Sequence, residues 1–380
     1  MNGRNQVVTT AVVGVIIVAL LIWVGVSRRQ RAAVPTPTAT ETIAESFSAP
    51  PVKVGWLGPV TGDAASYGAS IKRGVELAQR LTNANIELVF EDSKCEGKDA
   101  VSAVTKLINT DGVQAIIGEV CSGATLAAVP VATQRRIPMI SAASTSPKLS
   151  ESGEYFFRTV PSDARQGAFG AQLVYDKDFR RLAVLYSNEE YGLGFNNVLK
   201  EKFAALGGQV VSSEAFERTA VDLRTQLTKI KNAQPDAIYL ISNSPDSASA
   251  ALKQITELNI DAAIFGSEGL KSPDILAAAG EAAEGLILTT VSAGTAEFSQ
   301  QHRAEFGSEP GPFAAQGYDA FSALARAAAS GAVTGPAIME QLRTIEFDGV
   351  SGHIKFDEHG DVAGNYTVFE VADGQFVPAK

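Results

Sequence analysis

From Val52 onward, short apolar β-prone runs alternate with longer amphipathic segments, and this alternation restricts the fold more than any other feature of the chain. VKVGWLG (52–58), IELVFED (86–92), QAIIGEV (114–120) and PMISAA (138–143) read as strands, with helical patterns between them at 71–81, 98–109 and 124–134. Nearly continuous apolar strands separated by helices predict a parallel sheet covered on both faces. A second series follows FFRTVPSD: RLAVLYS (181–187), GQVVSSEAF (208–216), DAIYLIS (236–242), AAIFGSE (262–268) and GLILTTV (285–291), with helices expected at 194–206, 223–233 and 247–259. Two successive α/β series imply two similar lobes. Beyond Ser292 the pattern turns helical again, then closes on the β-like pieces HIKFDEHGD and NYTVFEVADGQFVPAK.

The 380 residues and 45% hydrophobic content suit about two domains. A formal charge of −10 argues against a nucleic-acid partner, which requires a clustered basic face. After a short tail at 1–6, residues 7–26 carry no charge, and about 20 apolar residues cross a bilayer as a helix. The apolar run is longer than a cleavable signal's, and no cysteine follows it closely to carry a lipid. An uncleaved transmembrane anchor is therefore expected there ahead of the alternative, a cleaved export signal. Arg28, Arg29 and Arg31 outnumber Arg4, which by the positive-inside tendency would leave the remainder in the cytoplasm. Residues 27–51, rich in Pro, Thr, Ser and Ala from Ala32 on, read as an extended linker.

In open parallel sheets, ligands bind where loops leave the carboxyl ends of strands. CSGAT (121–125), SAAST (141–145) and the GSEG turn all lie at such ends. Ser122 can cap the helix that CSGAT opens, or the free N–H groups there can capture a carboxylate. Thr145 lies close to the same rim. Tyr191, in EEYGLGF, falls between a strand and a helix. Glu268 ends a strand in a Gly-flanked turn, where a carboxylate can pair with a ligand ammonium. Cys95 and Cys121 read as a disulfide in an exported chain, closing a loop of about 25 residues for about 3 kcal/mol, or as buried thiols in the cytoplasm. Two cysteines and three scattered histidines are too few for a metal centre, and no cofactor is expected. No G-x-S-x-G, P-loop, H-E-x-x-H or G-x-G-x-x-G motif is present, and no histidine stands ready to activate a hydroxyl, so an enzyme is not expected.

VGWLGPVTGDAASYG, FEDSKCEGKDAV, AIIGEVCSGAT, PMISAASTSPKLS, YFFRTVPSDARQG, EEYGLGF, FGSEGL and FDGVSGHIKFDEHGD, in this order, resemble the leucine/isoleucine/valine-binding proteins of bacterial ABC importers. These are type I periplasmic solute-binding proteins. The likeness implies a Venus flytrap: two doubly wound α/β lobes joined by a three-segment hinge and closing on an amino acid. It places lobe 1 at 52–160 plus 293–347 and lobe 2 at 161–292 plus 348–380, with crossings near 160–163, 290–293 and 347–349. It implies that Ser122, Ala143 and Thr145 hold the ligand carboxylate, Glu268 its ammonium, and that Tyr191 and Tyr67 line the pocket. It pairs Cys95 with Cys121 and so favours an extracytoplasmic location, periplasmic or at the cell surface, with ABC permease subunits as partners. Where these binders place a second tyrosine, ISNSPD has Asn243; Glu119 is expected near the pocket rim, and both make the cavity more polar. The rival reading is a ligand-sensing ectodomain that reports amino acids or amides to a partner membrane protein.

Overall fold

The computed structural model describes residues 50–379. The expected anchor at 7–26 and most of the linker lie outside them, and among the described residues no helix is long and apolar enough to cross a membrane.

The first α/β series forms β1 (Val52–Gly58), α1 (Ala65–Thr82), β2 (Ile86–Asp92), α2 (Gly97–Lys106), β3 (Ala115–Gly118), α3 (Ser122–Gln134), β4 (Met139–Ser141) and β5 (Phe156–Arg158). Its strands make a parallel sheet in the order β2-β1-β3-β4-β5. Strand alternation sends Trp56, Ile117, Ile140 and Phe157 into one core and Leu57, Ile116, Met139 and Phe156 into another, so both faces are covered. The short strand β5 lies within the segment that the sequence reading treated as the divide between the two series.

The second series comprises α4 (Asp163–Asp176), β6 (Arg181–Ser187), α5 (Glu190–Ala205), β7 (Gln209–Phe216), α6 (Arg224–Asn232), β8 (Ala237–Ile241), α7 (Pro245–Glu257), β9 (Ala263–Gly266), α8 (Pro273–Ala279) and β10 (Ile287–Thr290). Its sheet is parallel from β7 to β10, then gains β13 (Thr367–Ala372) and β14 (Gln375–Pro378) antiparallel at one edge.

Between β10 and β13 the chain returns to the first lobe as α9 (Ala296–Phe306), α10 (Ala314–Ala329) and α11 (Gly335–Thr344), followed by the hairpin β11 (Glu346–Asp348) and β12 (His353–Lys355). α10 lies against α1 so closely that a Cβ on Gly74 would collide with the Ala314 carbonyl.

The expected third crossing near Phe347–Gly349 is corrected by this packing. Ile354, Phe356 and Val362 sit in the first lobe's core, where Phe356 meets the Phe157 ring edge-on at 5.1 Å. The fully buried Arg158 holds Asp361 through two hydrogen bonds of 2.6 and 2.8 Å. The chain therefore passes to the second lobe only after Val362.

Candidate functional site

The first-lobe wall of the cleft is built where β3 and β4 end. The hydroxyl of Ser141 donates to the Glu119 carbonyl at 2.5 Å and accepts the Ala143 and Ser144 N–H groups at 3.3 and 2.9 Å. These bonds curl SAAST over the end of β3. Arg158 reaches beneath the same loop and donates to the Ser144 and Ser146 carbonyls.

Ser122 is not a helix cap. Cys121 occupies the cap position of α3 without a side-chain bond, and the Ser122 hydroxyl accepts the Ser146 N–H at 3.1 Å. Thr125 and Ser144 join their hydroxyls at 2.6 Å, so CSGAT and SAAST form one hydrogen-bonded unit. The N–H groups of Ser122 and Gly123 have no partner among the described residues. Cys95 and Cys121 are disulfide-bonded with 5.4 Å between their Cα atoms, which ties this unit to the loop after β2.

Glu119 does not stand at the pocket rim. It is 0% exposed, accepts from the Ser93 hydroxyl at 2.5 Å and from the Cys121 N–H, and buttresses the disulfide from behind. Burial pushes its carboxyl up to about 7.

The second-lobe wall is made of side chains. Glu189 caps α5 by accepting the Tyr191 and Gly192 N–H groups, which turns the Tyr191 ring inward, and the phenol donates to the Ser267 hydroxyl at 2.6 Å. Glu268 follows the end of β9, is 3% exposed, and accepts from the Gln166 amide at 2.6 Å. Burial raises this carboxyl to about 7 as well. Asp163, the first residue of α4, is fully buried with both carboxyl oxygens lacking a hydrogen bond. Burial first, and the nearby Glu268 second, push it well above the usual carboxylate range.

Between the walls lies a cavity of about 30 Å³, room for about one or two waters. Tyr67, Ser122, Ala143, Tyr191, Asn243 and Glu268 all line it. Thr145 does not; its buried hydroxyl lies beside Asp163 without closing a hydrogen bond. The lobes are drawn together across the cleft: the Tyr67 hydroxyl donates to the Gly269 carbonyl at 2.8 Å, Arg218 reaches Asp63 at 2.9 Å and Glu96 at 3.4 Å, and Lys148 reaches Glu190 at 2.8 Å.

The sequence reading missed Phe313, which lines the cavity from the Pro/Gly-rich loop before α10. It also missed Asp163 and Gln166. Both sit in the YFFRTVPSDARQG motif, where Ser162-Asp163 reads as an ordinary helix start. Among the described residues, no cluster of His, Cys, Asp and Glu could hold a metal ion.

The chain is 29% identical over 342 residues to the leucine-, isoleucine-, valine-, threonine- and alanine-binding protein of Pseudomonas aeruginosa, covering 86% of this chain and 91% of that one. A leucine-binding protein from Thermotoga maritima superposes with a TM-score of 0.81 at 29% identity, over 87% of this chain and 98% of the other. A branched-chain amino acid transporter substrate-binding protein from Streptococcus pneumoniae, in complex with isoleucine, gives 0.79 at 28% identity, over 86% and 97%. With a family match running through residues 51–375, the two-lobed chain belongs to the periplasmic binding proteins, a family of binders and not of enzymes.

Proposed function

We propose that the cleft binds an α-amino acid, branched-chain or related, and that the chain delivers it outside the cytoplasm to the permease subunits of an ABC importer. One observation carries this reading. The N–H groups of Ser122 and Gly123 have no partner among the described residues, and across the cavity that Ser122 lines stands Glu268, buried and in no ion pair among the described residues. Donors opposite a carboxylate match the two ends of a zwitterion.

Ser122 and Ala143, with the backbone around them, take the carboxylate. Glu268 takes the ammonium, with the buried Asp163 carboxyl behind it, and Tyr67, Tyr191, Asn243 and Phe313 enclose the rest. Only the closed arrangement presents both walls at once, so the ligand shifts the lobes toward closure by hinge motion. The uncharged run at 7–26 tethers the chain to the membrane. The family match, and a disulfide suited to oxidising surroundings, support the location outside the cytoplasm.

Titration calorimetry of the purified chain against the twenty amino acids and simple amides tests the reading. Binding of at least one amino acid is expected, with loss of its affinity in Glu268→Ala. Silence across the panel overturns it.

A further inference from the structure

Glu268 and Phe313 line not only the interlobe cavity but also a second one of about 210 Å³. Lys271 belongs to the second alone. Its ammonium lies 3.7 Å from the centre of the Phe369 ring and pairs with no carboxylate among the described residues. Glu309, also on this cavity, is already bonded to Arg303 at 2.5 Å. Lysines such as Lys148 and Lys229 pair with Glu190 and Glu214, and others such as Lys177 stand in solvent. Lys271 is half-buried and has neither an ion pair among the described residues nor full hydration.

An aromatic face compensates only part of the lost hydration of an ammonium. Burial accordingly lowers Lys271 to about 8, which leaves it mostly charged at neutral pH. A cation held in this way beside a binding cleft is matched by an anion that arrives with the ligand. Glu268 stands on the wall of both cavities, so a ligand whose ammonium is fixed there has its side chain directed along Phe313 toward Lys271. Thr290 and Ser292 line the second cavity too, among apolar neighbours that include Val291 and Pro312.

We propose that this second cavity receives the ligand's side chain and that Lys271 pairs with a carboxylate there, making the chain selective for α-amino acids with an acidic side chain. The proposal rests on the reading of the cleft as an α-amino-acid site and replaces the branched-chain side chain proposed above with an acidic one.

Calorimetry on the full chain with L-glutamate, L-glutamine and L-leucine supplies the test. Glutamate is expected to bind at least about tenfold more tightly than either neutral ligand, since an unmatched buried charge discriminates strongly. Lys271→Met is expected to abolish that preference while leaving leucine within about threefold of its original affinity. A native chain that prefers leucine to glutamate overturns the role of Lys271 and leaves the amino-acid reading standing. An unchanged glutamate preference in Lys271→Met overturns it equally, and no binding by any amino acid overturns both.

Discussion

The two walls of the cleft are built on different principles. The first-lobe wall is backbone held rigid: a disulfide at Cys95–Cys121, three bonds to the Ser141 hydroxyl, one from Ser146 to Ser122, and Arg158 beneath. The second-lobe wall is side chains with spare acceptors. Both Asp163 oxygens, the Gln166 carbonyl and the Asn243 carbonyl are buried without partners. Buried polar groups are normally satisfied, so a concentration of orphan acceptors on one wall marks where donors are to be supplied. The first wall is a cross-braced frame in which, among the described residues, the Ser122 and Gly123 N–H groups and the Thr145 hydroxyl have no partner, whereas the second leaves several side-chain acceptors for the ligand to complete. Changes to the first should therefore cost folding stability, and changes to the second should cost affinity.

The largest effect is expected from Arg158→Met. It removes a fully buried guanidinium, leaves Asp361 without its cation and, among the described residues, with only the Ser150 hydroxyl on its carboxylate, and frees the carbonyls of Ser144 and Ser146. Breaking one side of a buried pair costs about 3–5 kcal/mol, readable as a lower midpoint in urea denaturation. A loss below about 1 kcal/mol would mean that the rim does not depend on this support. Replacing both Cys95 and Cys121 by Ser should follow at about 3 kcal/mol, because the bridge closes a loop with a sequence separation of 26.

On the opposite wall, Glu268→Gln keeps the shape and removes the charge. Hydrogen bonds to charged groups contribute about 1.5–3 kcal/mol, so affinity for an amino acid should fall about tenfold to a hundredfold while stability holds or rises. Equal affinity in both proteins would show that the ammonium sits elsewhere.

The two buried glutamates allow the same comparison through pH. Burial raises both Glu119 and Glu268 to about 7, above the range of about 4.3 expected in the unfolded chain. For a raised carboxyl the native state favours the protonated form. The stabilisation is therefore complete below the unfolded value and is lost as pH rises through about 7. Glu119→Gln and Glu268→Gln should each flatten the fall in ligand-free stability between about pH 5 and about 8. Only the ligand-facing carboxyl should also change binding. An ammonium favours ionised Glu268, so affinity in the native chain should weaken below about pH 7 and this dependence should vanish in Glu268→Gln alone. If Glu119→Gln removes it instead, the roles of the two walls are reversed.

Much of this contrast was legible in the sequence because it follows strand ends. The period of the apolar runs places CSGAT, SAAST and GSEG at the ends of strands, which is enough to name Ser122, Thr145 and Glu268, while Ala143 enters only through the family resemblance; of these Thr145 does not line the cavity. Long-range partners were not legible. Glu119 turns inward because the Ser93 hydroxyl waits 26 residues upstream, and a strand end does not reveal which way the next side chain will face. HIKFDEHGD would suit either lobe by its apolar alternation, and only Phe157 and Arg158 assign it to the first. Asp163 was hidden by a common helix-start signal, and Phe313 by a Pro/Gly loop that reads as a turn.

The smallest predicted effect concerns the contacts that join the walls. Arg218, from the second lobe, meets Asp63 and Glu96 of the first, with side-chain exposures of 14%, 20% and 62%. These pairs exist only when the cleft is drawn together, so their energy enters the closing equilibrium and not the folding of either lobe. Partly exposed ion pairs contribute about 0.2–1 kcal/mol. Arg218→Gln should therefore weaken amino-acid binding by about twofold to fivefold, mainly through faster dissociation, with little change in the urea midpoint. Raising salt should erode the native chain's advantage, because screening acts on the exposed Glu96 contact more than on the partly buried Asp63 one. A variant that loses stability in proportion to affinity would instead make Arg218 part of the second lobe's fold, and closure would then rest on Tyr67 and the ligand alone.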